Sequence, residues 1–315
     1  MMSNLDYAAS VIAPKAIRLD VYLVGVLVKA RPYVQKMIQD HGVRVNGYRI
    51  NKVGFKLKQH DDIHLNWPIQ LLVDEFDYSG VTFESNQIWV DGMKITILLD
   101  DEHVIVVNKP VGLMVHSAPT KQAPDLVGVL LHVGIQLNGG ELNRRGVVHR
   151  LDQFTEGVMV LSKSQQAYDA LVDQFKNRQV IKKYYALVRG QLKQGGLIDR
   201  PIGRDRWVRA RQSCDHFIPG TEKEAKTQYE VVSNFTNVTL VDVTLLTGRT
   251  HQIRVHFASI QHPVVGDVLY GEKHQKKTGY LLQSYGLSFD HPISKEPQSF
   301  LIPVSDRLSP YMKGQ

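Results

Sequence analysis

A single cysteine, Cys214, stands in 315 residues. That excludes an internal disulfide and a thiolate-rich zinc site. The 13 histidines are scattered, and no His-Glu-x-x-His pair occurs. His251 and His256 alone do not supply the several converging ligands a metal site needs. Long apolar runs are missing too: none approaches the ~20 residues that span a bilayer, so no membrane association is expected. Residues Met1 to Pro14 lack the basic flank and apolar block of a secretory signal. A cytoplasmic protein is therefore expected. No internal repeat, low-complexity tract or glycine-rich phosphate loop interrupts the chain.

What is present is an ordinary globular composition, 43% hydrophobic and 22% charged. The length suits one large domain plus a small one. The net charge of +7 points to a polyanionic partner. Its distribution says more than its total. Between Lys15 and His64 ten basic side chains face four acidic ones: Lys15, Arg18, Lys29, Arg31, Lys36, Arg44, Arg49, Lys52, Lys56 and Lys58 against Asp20, Asp40, Asp61 and Asp62. From Asn66 to Glu102 the sign reverses, with eight carboxylates against Lys94 alone. A basic block followed by an acidic one marks a boundary. We expect a small module over 15–65, an acidic linker over 66–97 and a larger domain over 98–310.

Inside the basic block, Leu19, Leu23, Val26 and Leu27 fall at helical spacing, as do Val34, Met37, Ile38 and His41 behind Pro32. Gly42 stops the second helix. Val43–Val45, Asn46-Gly47 and Tyr48–Ile50 read as strand, two-residue turn and strand, with Ile63–Leu65 as a closing strand. In the linker, 70–73 and 87–90 are strand-like. Further on, Val104–Val107, Tyr184–Val188 and Val238–Leu246 read as strands. Ser164 caps a helix running to Arg178, with Ala167, Tyr168, Leu171, Val172 and Phe175 as its apolar stripe. Thr250–Ser259 reads as a helix with Ile253, Phe257 and Ile260 facing inward. The large domain is thus expected to be α+β.

Within it, Gly146–Ser164 sets one carboxylate, Asp152, beside Arg150 in a loop between Val147-Val148 and the apolar run Val158–Leu161. A carboxylate among buried strands needs a partner. From this stretch alone a structural Arg–Asp pair explains the pattern as well as a catalytic one does. Three further segments stand out: Asn108-Lys109-Pro110-Val111-Gly112-Leu113-Met114-Val115-His116, Lys182 to Gly190, and Thr247 to His256. Taken singly, Tyr184 is a core aromatic, Arg254 a surface charge, and Lys109 and His116 turn or surface residues. Arg204, Arg206, Arg209 and Arg211 form a basic loop with Trp207 that suits phosphates or solvent equally.

Together these segments resemble the RluA family of RNA pseudouridine synthases, from about Ile95 to Val304. The basic block resembles the RNA-binding domain named after ribosomal protein S-four, through Arg18-Leu19-Asp20, Arg31, Gly42–Gly47 and Asp61-Asp62-Ile63. The resemblance implies a mixed, largely antiparallel sheet flanked by helices and loops, preceded by a small α/β RNA-binding domain. It implies that Asp152 is the catalytic group, that Tyr184 stacks on the target base, and that Arg254 pairs with the carboxylate. Arg150 is implied to contact the RNA at the flipped nucleotide and Leu282 to pack at the pocket. Arg18, Arg31, Lys36, Arg44 and Lys56 are expected to be the RNA-binding cations of the small module. The chain departs from the family pattern at Ala30, Ser117, Thr155-Glu156-Gly157 and Leu282-Gln283-Ser284.

The chemistry fits those residue types. Turning uridine into pseudouridine breaks the C1′–N1 bond, rotates the uracil and joins C5 to C1′, without a cofactor or metal. A carboxylate meets the oxocarbenium-like sugar, as in glycoside chemistry. A guanidinium keeps it ionised, an aromatic ring holds the detached base, and a side chain fills the gap left by extrusion. The expectation is a monomeric isomerase acting on structured RNA, most of all 23S-type ribosomal RNA. Its rivals are a non-catalytic RNA-binding or ribosome-assembly factor, a synthase acting on tRNA, an aminoacyl-tRNA synthetase fragment and an RNA glycosidase.

Overall fold

The computed structural model describes residues 6–13, 15–27, 31–68, 78, 80–116, 123–140, 145–271 and 279–312. At the N-terminal end lie β1 (Asp6–Ile12), β2 (Ile17–Arg18), α1 (Leu19–Leu27), α2 (Arg31–His41), β3 (Val43–Val45), β4 (Tyr48–Ile50), β5 (Lys56–Leu57) and β6 (Asp62–Pro68). Four of these strands form an antiparallel sheet in the order β1-β6-β3-β4. Leu19, Leu23, Val34 and Ile38 pack from the two helices onto Val43, Ile63, Leu65 and Trp67. Asn46 and Gly47 take φ of 50° and 83°, the left-handed pair that a tight hairpin requires. Gly42 ends α2 at φ 72°, and its carbonyl accepts from Trp67 Nε1 at 2.6 Å. The strand β1 lies before the expected start of this module, and its pairing with β6 extends the sheet.

The second sheet has 11 strands. They begin with β7 (Thr82–Glu84), β8 (Gln87–Val90), β9 (Met93–Asp100) and β10 (Val104–Lys109), followed by α3 (Leu126–His132), β11 (Glu156–Ser162) and α4 (Gln165–Lys176). Then come β12 (Ile181–Arg189), β13 (Gly196–Asp199), a separate pair β14 (Gly203–Arg204) and β15 (Gln212–Ser213), β16 (Lys226–Asn234) and β17 (Val238–Leu245). Then follow α5 (Gln252–Ser259), β18 (Leu282–Asp290), β19 (Pro297–Leu301) and a 3₁₀ turn at Ser309–Tyr311. The order is β13-β16-β17-β12-β18-β11-β10-β9-β8-β7, with β19 on β18. Among the described strands of this sheet only β11 and β18 pair in parallel, so the sheet is mixed and largely antiparallel.

This corrects the linker expected over 66–97. Residues 82–97 build β7, β8 and most of β9, and Ile88, Val90, Ile95 and Ile97 join the main core. The expected strand at 70–73 lies outside the described residues, as do Lys29, Ala30 and Ser117.

Both faces of the central strands are covered. Ile105, Val107, Met159 and Leu161 enter the core shared with α3 and α5, whereas Val104, Val106, Val158 and Val160 enter the one beneath α4. Burial on both sides is why Val158–Leu161 is an unbroken apolar run rather than an alternating one. Ser164 caps α4 by accepting from the Ala167 amide at 3.2 Å. α5 starts at Gln252, because His251 takes the left-handed conformation at φ 59°.

Candidate active site

The loop carrying Asp152 is pinned at both ends. Before it, partly buried His149 stacks on Phe175 at 4.6 Å and its Nε2 accepts from the Val160 amide at 3.1 Å. Burial and the nearby Lys182 charge push this imidazole down to about 3, so it stays neutral and acceptor-competent. After it, Gln153 exchanges hydrogen bonds with Gly112, accepting at 2.9 Å and donating at 3.0 Å. Lys109 lies beneath this junction and is wholly buried, which corrects its reading as a turn or surface residue. Its ammonium donates to the carbonyls of Pro110, Leu113 and Gln153 at 2.9, 2.8 and 3.3 Å. Burial pushes it down to about 7, against the opposing pull of Asp152 and Glu156. Between the two anchors Leu151 is buried and Arg150 is exposed.

Gly157 lets the loop enter β11. It sits at φ 126°, and a Cβ there would stand 2.1 Å from the Ser284 carbonyl oxygen. That close approach makes the parallel junction of β11 and β18, and the candidate site forms where the two strands meet β12. Tyr184 on β12 is opposite Ser284, and Leu282 opens β18. Burial, aided by the charge of Asp152, pushes the Tyr184 phenol up to about 12 against a hydrogen bond from Ser284. Tyr185 leaves the other face of the strand and stacks on Tyr285 at 4.0 Å.

The loop before α5 is fixed by Gln252. Its Oε1 accepts from Thr247 Oγ1 and the Arg249 amide, and its Nε2 donates to Lys226 O and Thr227 Oγ1. Two residues on, Arg254 reaches across the sheet. Its Nη1 donates to Asp152 Oδ2 at 3.0 Å, while Nε and Nη2 donate to Asp267 at 2.6 and 3.1 Å. Its guanidinium lies over the rings of Tyr280 and Tyr270, 4.3 and 5.0 Å from their centroids. Burial works against the charge of Arg254, but the hydrogen bonds to Asp267 and the charges of Asp267 and Asp152 outweigh it and raise its pKa. The Tyr280 hydroxyl also donates to Asp152 Oδ2, at 3.3 Å, and burial raises that phenol far above its ordinary value.

Asp152, its side chain 17% exposed, faces a cavity of about 500 Å³ lined by Arg150, Tyr184, Ile253, Arg254 and Leu282. A second cavity of about 510 Å³ opens on its other side, beside His251, Asp267 and Tyr280. Volumes of this size accept a nucleotide-scale ligand. Among the described residues no group of three His, Cys, Asp or Glu stands close enough to hold a metal ion.

Asp152, Arg150, Tyr184, Arg254 and Leu282 are thus gathered in one place. Arg18, Arg31, Lys36, Arg44 and Lys56 lie on the N-terminal module instead. Arg18 and Arg31 both donate to buried Asp20, at 3.0 and 2.9 Å, and Gln35 joins them at 2.8 Å. Burial opposes the Asp20 charge, but the hydrogen bonds from Arg18, Gln35 and Arg31 outweigh it and hold the carboxyl well below its usual range. Lys36, Arg44 and Lys56 are exposed. Glu156, the bulky departure beside the loop, is only partly exposed and lies 3.6 Å from Arg307 Nη1.

Sequence reasoning missed Asp267, Tyr270 and Tyr280. Asp267 carried a usable signal: it is a lone carboxylate in the apolar turn His262 to Gly271, the argument that singled out Asp152.

Residues 103–259 match the family model described as RNA pseudouridylate synthase, and residues 17–63 match the S4 domain. An RNA pseudouridine synthase of Aquifex aeolicus is 37% identical over 286 residues, covering 87% of this chain and 85% of the relative. The ribosomal large subunit pseudouridine synthase D of Vibrio parahaemolyticus is 32% identical, covering 89% and 84%. The structure of the human RNA pseudouridylate synthase domain containing 1 protein superposes with a TM-score of 0.56 at 25% identity, over 69% of this chain and 86% of that one.

Proposed function

The chain belongs to the RNA pseudouridine synthase family, and from that premise we propose that it isomerises uridine in large-subunit ribosomal RNA with Asp152 as the acting carboxylate. One observation carries the residue assignment: Arg254 Nη1 holds Asp152 Oδ2 at 3.0 Å in a cavity that also presents Tyr184 and Leu282. The guanidinium holds the carboxylate by a hydrogen bond and aims it at the sugar. In the reaction the C1′–N1 bond breaks, C5 bonds to C1′, and C5 gives up a proton while N1 gains one. Attack at C1′, addition at C6 and removal of a sugar proton all begin from the same Asp152 side chain. Tyr184 supports the freed uracil by stacking, and exposed Arg150 fills the space left in the RNA. The ribosomal target is supported by the name of the Vibrio relative and by the basic module. A monomer working in the cytoplasm completes the reading.

Mapping pseudouridines by carbodiimide-stopped primer extension, in cells lacking the gene, tests it. Stops in 23S ribosomal RNA should vanish and return with the wild-type gene. Loss confined to tRNA would move the target there, and no loss in either RNA would overturn the assignment.

A further inference from the structure

The cavity beside Asp152 opens past a group of cations that the isomerisation does not use. Lys182 precedes Tyr184 by two residues on β12, so both side chains leave the same face, about 6.7 Å apart along the strand. The Lys182 ammonium reaches one acceptor at the limit of hydrogen-bond range, the Thr247 carbonyl at 3.5 Å. Among the described residues no carboxylate pairs with it. Arg249 and Arg178 line the same opening. Arg249 Nε donates to the Glu224 carbonyl at 2.9 Å, and Arg178 pairs with the Glu224 carboxylate at 2.6 Å. A side chain at Gly248 would begin 3.6 Å from the ammonium and cover it. Burial, with the charges of Arg249 and Arg178, pushes Lys182 down to about 8. Arg178 already has the Glu224 carboxylate, so the charge that lacks a counter-ion is that of Lys182, which its two neighbours repel until an anion enters.

We propose that Lys182, Arg249 and Arg178 form a phosphate subsite that grips the RNA backbone next to the extruded uridine. The assignment rests on reading the cavity as the seat of that uridine. A phosphate lies one sugar away from its base, and Lys182 lines the same cavity as Tyr184, two residues along the strand. The subsite therefore fixes where the backbone passes while the base sits on the tyrosine. It also gives binding a pH dependence. The groups facing Lys182 are Arg249 from the loop before α5, Arg178, itself paired with Glu224, from the end of α4, and the neutral His149 from the Asp152 loop. Above pH about 8 the free protein must take up a proton at Lys182 to bind phosphate, so affinity falls as pH rises.

The test measures binding and turnover of unmodified 23S ribosomal RNA transcribed in vitro, across salt and pH, for wild type, Lys182→Met, Lys182→Arg and Lys193→Met. Lys182→Met is expected to weaken binding about tenfold and to make the salt slope of log K shallower by about 0.7 to 0.9. Lys182→Arg should bind like wild type at neutral pH but without the decline above it. Exposed Lys193, outside the cavity, should show none of this. Wild-type affinity and salt slope in Lys182→Met, or a change no larger than in Lys193→Met, overturns the subsite. An RNA bound normally but never isomerised by wild type would instead fail the reading of the cavity, since binding is scored apart from turnover.

Discussion

Asp267 grips Arg254 through two hydrogen bonds of 2.6 and 3.1 Å, and the remaining guanidinium nitrogen is what reaches Asp152. The amides of Leu269 and Tyr270 in turn donate to Asp267 at 3.0 and 3.2 Å. Asp152 is therefore aimed by a second carboxylate, Asp267, acting through Arg254. Asp267→Asn leaves Arg254 buried without its main counter-charge, a change that costs roughly 3–5 kcal/mol in buried pairs. We expect a lowered Tm and a kcat loss larger than any KM change. Normal kcat in a folded Asp267→Asn protein would show that Arg254 needs no such support.

Tyr184 is assigned by its ring, not its hydroxyl. Removing the ring in Tyr184→Leu forfeits base stacking, worth about 1–3 kcal/mol, or roughly fivefold to over a hundredfold in kcat/KM. Tyr184→Phe keeps the ring and should keep most activity. Because the phenol is pushed up to about 12, it stays protonated in the neutral range, and Tyr184→Phe should leave the shape of the pH–rate profile unchanged. Equal losses in both variants would assign the role to the hydroxyl.

Lys109 makes stability depend on pH. Unfolded, it holds its proton up to its ordinary value of 10.5; folded, burial lowers it to about 7. Between those values the unfolded chain binds the extra proton, so stability rises with pH through the window, and the penalty is fully present below it. Lys109→Met should flatten that rise. It also strips the donor from three carbonyls, with a cost of roughly 1–3 kcal/mol for such unsatisfied groups. Urea unfolding of both proteins at neutral and alkaline pH reads both effects.

Exposed Arg44 and Lys56 of the N-terminal module lie outside the cavities beside Asp152. Arg44→Ala and Lys56→Ala should each weaken RNA binding and reduce the salt slope by about 0.7 to 0.9, with kcat unchanged at saturating RNA. An unchanged salt slope in the double variant would take these residues out of the RNA interface.

Local signals were legible in the sequence where local physics decides. Ser164 caps α4, Asn46-Gly47 turns a hairpin, and the doubly buried run Val158–Leu161 is a strand. The acidic stretch misled because its carboxylates, Glu84, Asp91, Asp100 and Asp101, sit at strand ends and turns. They mask an alternating inward set, Ile88, Val90, Ile95 and Ile97, whose burial depends on neighbours far along the chain. Lys109 misled for a related reason: its three acceptors come from a turn and from a loop 44 residues away. The meeting of Asp152 with Tyr280, 128 residues apart, likewise exists only once β11, β12 and β18 have closed together.

The central claim is tested most directly by Asp152→Asn, which keeps the shape of the side chain and removes its charge. Purified wild type and variant are given the same RNA, with bound fraction and pseudouridine both measured. The account predicts unchanged affinity and no pseudouridine from the variant. Turnover at the wild-type rate would contradict it.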